Sequence, residues 1–432
     1  MDEKDRDVNK LDELKAKRRE ERIEAKRRKL AEQREQRNEK SGTPDPEDFA
    51  YASEMSEEEL ARRREERQKK SGKRSKDGGM PFRTKLKLAG ILLLVILAVY
   101  GFLQLRDYIA KSTPYRVSDE GFTHSERFEN AVVLHGIDVS EHQDTDINWV
   151  KVKTSGVDFV FIRAGYRSVD DGSLHEDENF VTNIENANKA GLMTGAYFYS
   201  QALNAEEGRE EAHFVLDLVK KYDISLPLAI DYEIYKGGRL DKKIEAGEMY
   251  AASFYHDAVL GFCDEVQNAG YESAVYANKD MLTNYMQADL LDDSATIWLA
   301  RYDSEAGLDA DYWFWQCSDS GRAGNMSEAV DQDFWYMEPG KVYPTRARTK
   351  GVKDKNRVSI GDCRITLKND SVKLHHFRAE PKFGVTYEGR GLRKGSDYVA
   401  SVVHNNEAGT GYIIIRGIGK YKDWIMYPFT IE

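Results

Sequence analysis

The chain has 432 residues, 40% hydrophobic and 32% charged, with 64 Lys and Arg against 75 Asp and Glu, which predicts two or three domains and at least one sizeable core. Residues 1–87 carry 27 basic and 22 acidic side chains, residues 88–340 carry 19 and 44, and residues 341–432 carry 18 and 9. Such segregation excludes one uniform domain and disfavours a nucleic-acid enzyme, whose phosphate partner the acidic block would repel; three cysteines (Cys263, Cys317, Cys363) without a CxxC exclude a disulfide framework and a cysteine zinc site.

Residues 1–85 read as a charged tail, helical in part and largely disordered. Opposite charges recur at three- and four-residue spacing, but apolar residues are too sparse for a core. Thr43-Pro44-Asp45-Pro46 breaks any helix, and Ser56 with Glu59 resembles a capping box opening a second one. Such a tail can dock a cytoplasmic partner, whose identity the residues do not specify, or the anionic inner leaflet.

Leu86–Leu105 (LKLAGILLLVILAVYGFLQL) has no charge and no proline between Leu88 and Leu103. About 20 such residues cross a hydrocarbon core of roughly 30 Å. Its N-terminal flank is basic (Lys69, Lys70, Lys73, Arg74, Lys76, Arg83, Lys85), so residues 1–85 are expected in the cytoplasm and the rest outside the cell. A cleaved signal peptide would lie at the extreme N-terminus and end in small residues. An uncleaved anchor over 86–106 is therefore expected, followed by a linker over 107–130.

From 131 to about 340, short apolar runs alternate with amphipathic stretches. Strands are predicted at Leu134–Ser140, Val157–Ala164, Leu192–Ser200, Leu226–Glu233, Tyr271–Asn278, Thr296–Tyr302, Tyr312–Cys317 and, briefly, Ala329–Asp331. Helices are predicted at Asn179–Ala190, Ala205–Tyr222, Met249–Ala269 and Lys279–Met286. This pattern predicts an α/β fold, a (β/α)-barrel with incomplete helices in its second half and a site at the C-terminal strand ends. No GxGxxG or P-loop supports an open nucleotide-binding sheet, and no GxSxG supports a serine hydrolase.

Four carboxylates fall at those strand ends: Asp138, Asp231, Glu233 and Asp331. Side chains two apart on a strand share a face, so Asp231 and Glu233 point the same way. Crowded carboxyls part their pKa values, one staying protonated while another ionises, and glycoside hydrolysis needs that division. Scattered histidines without HxH or HxxH argue against a metal site, and no cofactor is expected.

In order along the chain come Asp138-Val139-Ser140 with Gln143 and Trp149, Phe159–Ala164, Gly195-Ala196-Tyr197, Asp231-Tyr232-Glu233, Val275–Asn278, Trp298–Tyr302, Trp315-Gln316 and Val330-Asp331. This series, from His135 to about Tyr336, resembles glycoside hydrolase family 25, the Chalaropsis-type lysozymes or N-acetylmuramidases. The resemblance implies a flattened barrel, peptidoglycan as substrate, and cleavage of the β-1,4 bond from N-acetylmuramic acid to N-acetylglucosamine. It implies Glu233 as general acid, Asp231 as transition-state stabiliser that orients the substrate's acetamido group, and Asp138 and Asp331 as cleft residues tuning the acid. Tyr166, Tyr197, Tyr199, Tyr232, Tyr276, Arg301 and Trp315, with Trp335, are candidate sugar contacts. One departure is Phe198, where the family often has histidine.

Residues 345–432 show short alternating runs punctuated by Gly and Asn: Arg357–Ile360, Cys363–Leu367, Phe383–Tyr387, Tyr398–His404, Gly411–Arg416 and Trp424–Ile431. They predict a small all-β sandwich, and the ending from Gly411 to Ile431 is similar to Ig-like modules of Firmicutes surface proteins. Its positive charge suits anionic wall polymers. The expected whole is a membrane-anchored muramidase that remodels the wall, its topology suiting local cleavage for a trans-envelope apparatus. The alternatives are a catalytically inactive peptidoglycan-binding scaffold and a glycosidase acting on another amino-sugar polymer.

Overall fold

The computed structural model describes residues 91, 99–100 and 115–432, except 292–293 and 376–377. The predicted tail 1–85 and all but three positions of the apolar run Leu86–Leu105 lie outside the described residues. Among the described residues no helix is long and apolar enough to cross a membrane. The chain divides into two compact units, Met1–Ile96 and Leu97–Glu432, and every element below belongs to the second.

Eight strands close a barrel: β1 (Val132–Val139), β2 (Phe159–Arg167), β4 (Met193–Ser200), β5 (Leu228–Tyr232), β6 (Ser273–Asn278), β7 (Thr296–Ala300), β8 (Phe314–Gly321) and β9 (Val330–Met337). Their order is β1-β9-β8-β7-β6-β5-β4-β2, and β1 pairs with β2 to close the ring. A short strand absent from the expectation, β3 (Leu174–Glu176), folds back antiparallel on β2.

The ring is not uniformly parallel. β9 runs antiparallel to both of its neighbours, β8 and β1. Only residues 322–329 separate β8 from β9, and a parallel return needs a crossover of about a dozen residues or more. The predicted last strand at Ala329–Asp331 is thus the start of an eight-residue strand whose first end lies at the barrel mouth. Asp331 reaches the mouth by opening a reversed strand instead of ending a parallel one.

Helices cover the first half: α1 (Trp149–Thr154), α2 (Phe180–Ala190), α3 (Ala205–Val219), α4 (Arg239–Glu245) and α5 (Ala252–Asn268). Asn204 caps α3 by accepting the Glu207 N–H, with Glu206 and Glu207 in the first turn favoured by the helix dipole. Gly191 ends α2 in the left-handed region, at φ 78°. In the second half the predicted helix Lys279–Met286 is a single π-helical turn, Met281–Tyr285.

Alternation along the strands sorts two apolar layers. Outward residues such as Ile137, Ile162, Phe198 and Ile230 pack under the helices. Inward residues such as Leu134, Phe159, Phe161, Trp298, Phe314 and Trp335 fill the barrel below the mouth. A β-carbon at Gly136 would lie 2.2 Å from the Phe159 ring, and one at Gly195 would lie 2.6 Å from that of Phe161. Glycine at both positions gives these rings their space.

The C-terminal part is all-β and starts by β10 (Val342–Tyr343), which pairs with β19 (Trp424–Ile431). With β13 (Ser371–Val372), β16 (Tyr398–Val403) and β17 (Gly409–Gly417), these form a five-stranded sheet. Beside it lie a parallel pair, β11 (Val358–Ser359) with β18 (Tyr421–Lys422), and a three-stranded sheet of β12 (Arg364–Leu367), β14 (Phe383–Tyr387) and β15 (Arg390–Gly391). Ile413 and Ile415 enter the core shared by these sheets, whereas Ile414 faces the other way. With Val403, Trp424 and Met426 it joins the barrel interior, so this sheet is buried on both faces and closes the barrel floor.

Candidate active site

Reversed β9 and parallel β1 meet at the mouth, where Asp331 and Asp138 are Cα partners. Across the barrel, Asp231 of β5 is flanked in register by Tyr199 of β4 and Tyr276 of β6. A cavity of about 120 Å³ opens between these strands, lined by Asp138, Tyr197, Asp231, Tyr276, Trp298, Tyr302, Gln316 and Asp331. Glu233 follows β5, two residues beyond Asp231, and is half-buried.

One hydrogen-bond chain fixes the wall. The hydroxyls of Tyr276 and Tyr302 each donate to Gln316 Oε1, both at 2.8 Å, and Gln316 Nε2 donates to Asp138 Oδ2 at 2.7 Å. Below it, the Trp298 indole N–H donates to Asp333 Oδ1 at 2.8 Å. Asp138 and Asp231 are 5% and 8% exposed, and Asp333 is 1% exposed.

Burial and mutual repulsion push every carboxyl here upward. Asp138 is raised well above the usual range by burial, then by the charges of Asp331 and Asp333. Burial also raises Asp231, next the Glu233 charge, while the Arg163 guanidinium pulls it back. Glu233 is raised by burial and by Asp331, and Asp331 is raised to about 6 by burial and by Asp319. Arg163 is held at the rim by Asp177 Oδ2 at 2.8 Å and Glu141 Oε1 at 2.9 Å. A site whose buried carboxyls are all pushed toward the protonated form suits general acid chemistry.

The aromatic candidates divide. Tyr197 and Tyr276 line the cavity, and Tyr199 stands near it, its hydroxyl raised by burial and by the charges of Asp231 and Glu233. Tyr166 is half-buried, stacked on His175 at 5.0 Å with Arg163 over its ring. Tyr232 and Trp315 require correction. Alternation that turns Asp231 inward turns Tyr232 outward, where it is fully buried and donates to the Ala202 carbonyl at 2.6 Å. Trp315, next to inward Gln316, is likewise outward, donating to the Arg301 carbonyl and packed on Phe122 and Phe334. Trp335 faces inward but lies on the floor between Phe314 and Trp424. Arg301 pairs with Asp303 at 2.9 Å and is not among the residues lining the cavity. Phe198 sits in the outer layer against Phe214, facing away from the cavity.

Three wall residues escaped the sequence reading as site groups: Gln316, Tyr302 and Asp333. Asp331-Gln332-Asp333 repeats the carboxylate-x-carboxylate spacing of Asp231-Tyr232-Glu233, a signal hidden because the last strand was taken to stop at Asp331. Among the described residues no cluster of His, Cys, Asp and Glu is arranged to hold a metal ion.

Residues 137–326 match the family model described as Glycosyl hydrolases family 25. Over 201 residues the chain is 27% identical to an autolytic lysozyme of Clostridium acetobutylicum, covering 46% of this chain and 55% of the relative. It is also 27% identical to Lysozyme M1 of Streptomyces globisporus, covering 46% and 67%. Among solved structures, the modular autolysin LytC of Streptococcus pneumoniae in complex with a synthetic peptidoglycan ligand is 25% identical, with a TM-score of 0.41 and 47% of each chain covered. A family 25 glycosyl hydrolase from Bacillus anthracis is 22% identical, with a TM-score of 0.39 over 51% of this chain and 95% of that one. The chain spans about half the length of the first of these curated relatives.

Proposed function

We propose that the barrel is a peptidoglycan muramidase, hydrolysing the β-1,4 bond between N-acetylmuramic acid and N-acetylglucosamine. The observation that carries this reading is the ring of Asp138, Asp231, Glu233 and Asp331 at one mouth, within a segment matched to a glycosyl hydrolase family. Glu233, half-buried at the lip, donates its proton to the bridging oxygen as the glycosidic bond breaks. Deeper Asp231 faces the developing positive charge and orients the acetamido group, and Arg163 opposes the upward push that burial and the Glu233 charge give its carboxyl. Burial and the Asp331 charge favour the protonated form of Glu233, and Asp138 lines the cavity wall opposite. Tyr197, Tyr199 and Tyr276 give the sugar rings apolar faces to stack on, and Tyr166 and Arg301 are rim contacts.

The apolar run Leu86–Leu105 supports anchoring in a bacterial membrane, with residues 1–85 inside and the barrel outside. An anchored hydrolase cuts locally, as opening the wall for a trans-envelope apparatus requires. The basic surface of the C-terminal Ig-like part, residues 345–432, suits anionic wall polymers, and the tail has a cytoplasmic partner or inner-leaflet contact still to be identified.

Digestion of purified peptidoglycan by the full-length chain, wild type beside Glu233→Gln, tests this reading. New N-acetylmuramic acid reducing ends, absent from the variant digest, are expected. A folded wild type that binds peptidoglycan but releases nothing makes the protein a scaffold. Equal products from both remove Glu233 from its role, and release from chitin alone changes the substrate class.

A further inference from the structure

Alternation along β17 places a cation in the apolar seam at the barrel floor. Ile414 faces the barrel, and Arg416, two residues on, shares that face. Its register partner on β19 is Trp424, and its guanidinium carbon lies 5.3 Å from the centre of that ring. Arg416 is 6% exposed, and its Nε and Nη1 are buried without a hydrogen-bond partner among the described residues. A buried cation is costly unless it is paired and hydrogen-bonded. Burial presses the Arg416 pKa down, and the largest charge supporting it is that of Glu272. Glu272 is engaged elsewhere: its carboxyl accepts the Thr345 hydroxyl and the Arg346 backbone N–H.

Arg416 lines a cavity of about 540 Å³ in that seam, far from the catalytic mouth. The barrel contributes Asp223 and Tyr271, from the connections leading into β5 and β6, and the C-terminal part contributes Arg348, Lys350 and Arg357. The lining therefore carries four cations and one carboxylate. Arg348 holds Asp264 at 2.7 Å and Arg357 holds Asp354 at 3.4 Å, while exposed Lys350 has no ion-pair partner among the described residues. Burial raises the Tyr271 hydroxyl, and the nearby Arg416 charge opposes that rise. We propose that this cavity binds a phosphate group, held by Arg416 and Lys350 from the C-terminal side and by the Tyr271 hydroxyl from the barrel. A guanidinium presents a planar fork that matches phosphate oxygens. A phosphate offers acceptors in several directions, so donors on both sides of the seam share it, whereas a carboxylate offers two oxygens in one plane. The cavity is several times the size of a phosphate ion and leaves room for what the phosphate is esterified to. The source is a phosphodiester of a wall polymer or the free ion. The first source rests on the charge-based reading of residues 345–432 given above; the site itself does not.

The test is isothermal titration calorimetry of the full-length chain in nonionic detergent and phosphate-free buffer. Inorganic phosphate, a glycerophosphodiester oligomer and acetate are the titrants. Wild type is expected to bind phosphate, Lys350→Gln to bind it about 10-fold more weakly, and Arg416→Gln to give no measurable heat. Lys394→Gln removes an exposed charge outside the cavity and is expected to bind as wild type does. Oligomer binding that is tighter than phosphate binding and falls in the same variants supports the site with a polymer as its source. Phosphate binding without oligomer binding supports it with the free ion. No heat from wild type with either compound overturns the proposal, as do affinities unchanged in both cavity variants or equally weakened in Lys394→Gln. Acetate bound as tightly as phosphate overturns the ligand class. Should Arg416→Gln not fold, Lys350→Gln and Tyr271→Phe must each still weaken phosphate binding, and failure of both to do so overturns the site. Wall polymer retained equally by wild type and by Lys350→Gln keeps the charge-based reading and removes this cavity from it. Hydrolysis is not read, so the outcome on peptidoglycan is independent of this one.

Discussion

Asp138 and Asp331 face each other across the seam where the barrel's first and last strands meet, as Cα partners in antiparallel register. The seam brings together carboxylates nearly two hundred positions apart in the chain. Asp331 is among the charges that raise Asp138, after burial, and it is the largest charge raising Glu233. The cost of crowding and the tuning of the candidate acid therefore come from one contact.

The first prediction follows from the sign of that crowding. Asp331 is raised from 3.8 to about 6 in the folded protein. Between these values the folded state binds more protons than the unfolded state, so stability falls as pH rises. Asp331→Asn is expected to stabilise the protein by about 1 kcal/mol at pH 8, allowing for partial exposure, and not at pH 4. Thermal melts at the two pH values check this; equal shifts at both would show that charge is not the cause.

Gln316 is the hub of the wall, accepting from two tyrosines while donating to Asp138. Gln316→Ala leaves a buried carboxyl and two hydroxyls without their partner, each such loss being worth about 1–3 kcal/mol. The variant is expected to lower kcat/KM on peptidoglycan by about 10–100-fold. Steady-state kinetics with a parallel melt measure both effects; kinetics unchanged from wild type would show that the chain does not shape the site.

Trp424 seals the floor, 6.1 Å from the Trp335 ring and 1% exposed. Because the apolar barrel interior continues into the five-stranded sheet, Leu97–Glu432 is expected to unfold in one cooperative transition. Trp424→Ala should lower that transition by about 3–5 kcal/mol. Calorimetry resolving two transitions, with only one moved by the substitution, contradicts the shared core.

At the same interface His404 Nε2 lies 3.0 Å from Asp158 Oδ2, and the His404 backbone N–H donates to Asp158 Oδ1 at 2.8 Å. Burial is the largest single influence and opposes the histidine charge, but the hydrogen bond with Asp158 and the charge of Asp158 together outweigh it and raise the group. Asp158 is lowered, burial being outweighed by the same bond and the His404 charge. A raised histidine stabilises fully below its unfolded value near 6.5 and loses this as pH rises through the folded value. The lowered aspartate stabilises above 3.8 and loses this as pH falls. His404→Gln is therefore expected to destabilise most between about pH 5 and 6 and least above pH 8, as denaturant titrations at these values will read.

Much of the site was legible without coordinates. Strand alternation alone put Asp231 and Glu233 on one face, and apolar runs bounded by carboxylates marked the strand ends. Alternation was not carried to its end at Tyr232 and Trp315, each the odd neighbour of an inward residue. Both read as cleft aromatics only while their orientation was ignored. Asp333 was missed for a different reason: the reversal of β9 follows from a short connection, and strand length beyond Asp331 depends on pairing with β1 and β8.

The sequence by itself determined what is local: strand periodicity, helix caps, the carboxylate-x-carboxylate spacing, and the charge blocks. Tertiary structure alone decided what depends on closure. It set Asp331 against Asp138, Gln316 beneath two tyrosines, and Asp333 against the Trp298 indole. It also turned Ile414 and Trp424 into the floor of a neighbouring barrel. Periodicity fixes which side of a strand a residue occupies, whereas the neighbour it meets there, and the proton it then keeps, depend on which strands pair and how much water closure removes.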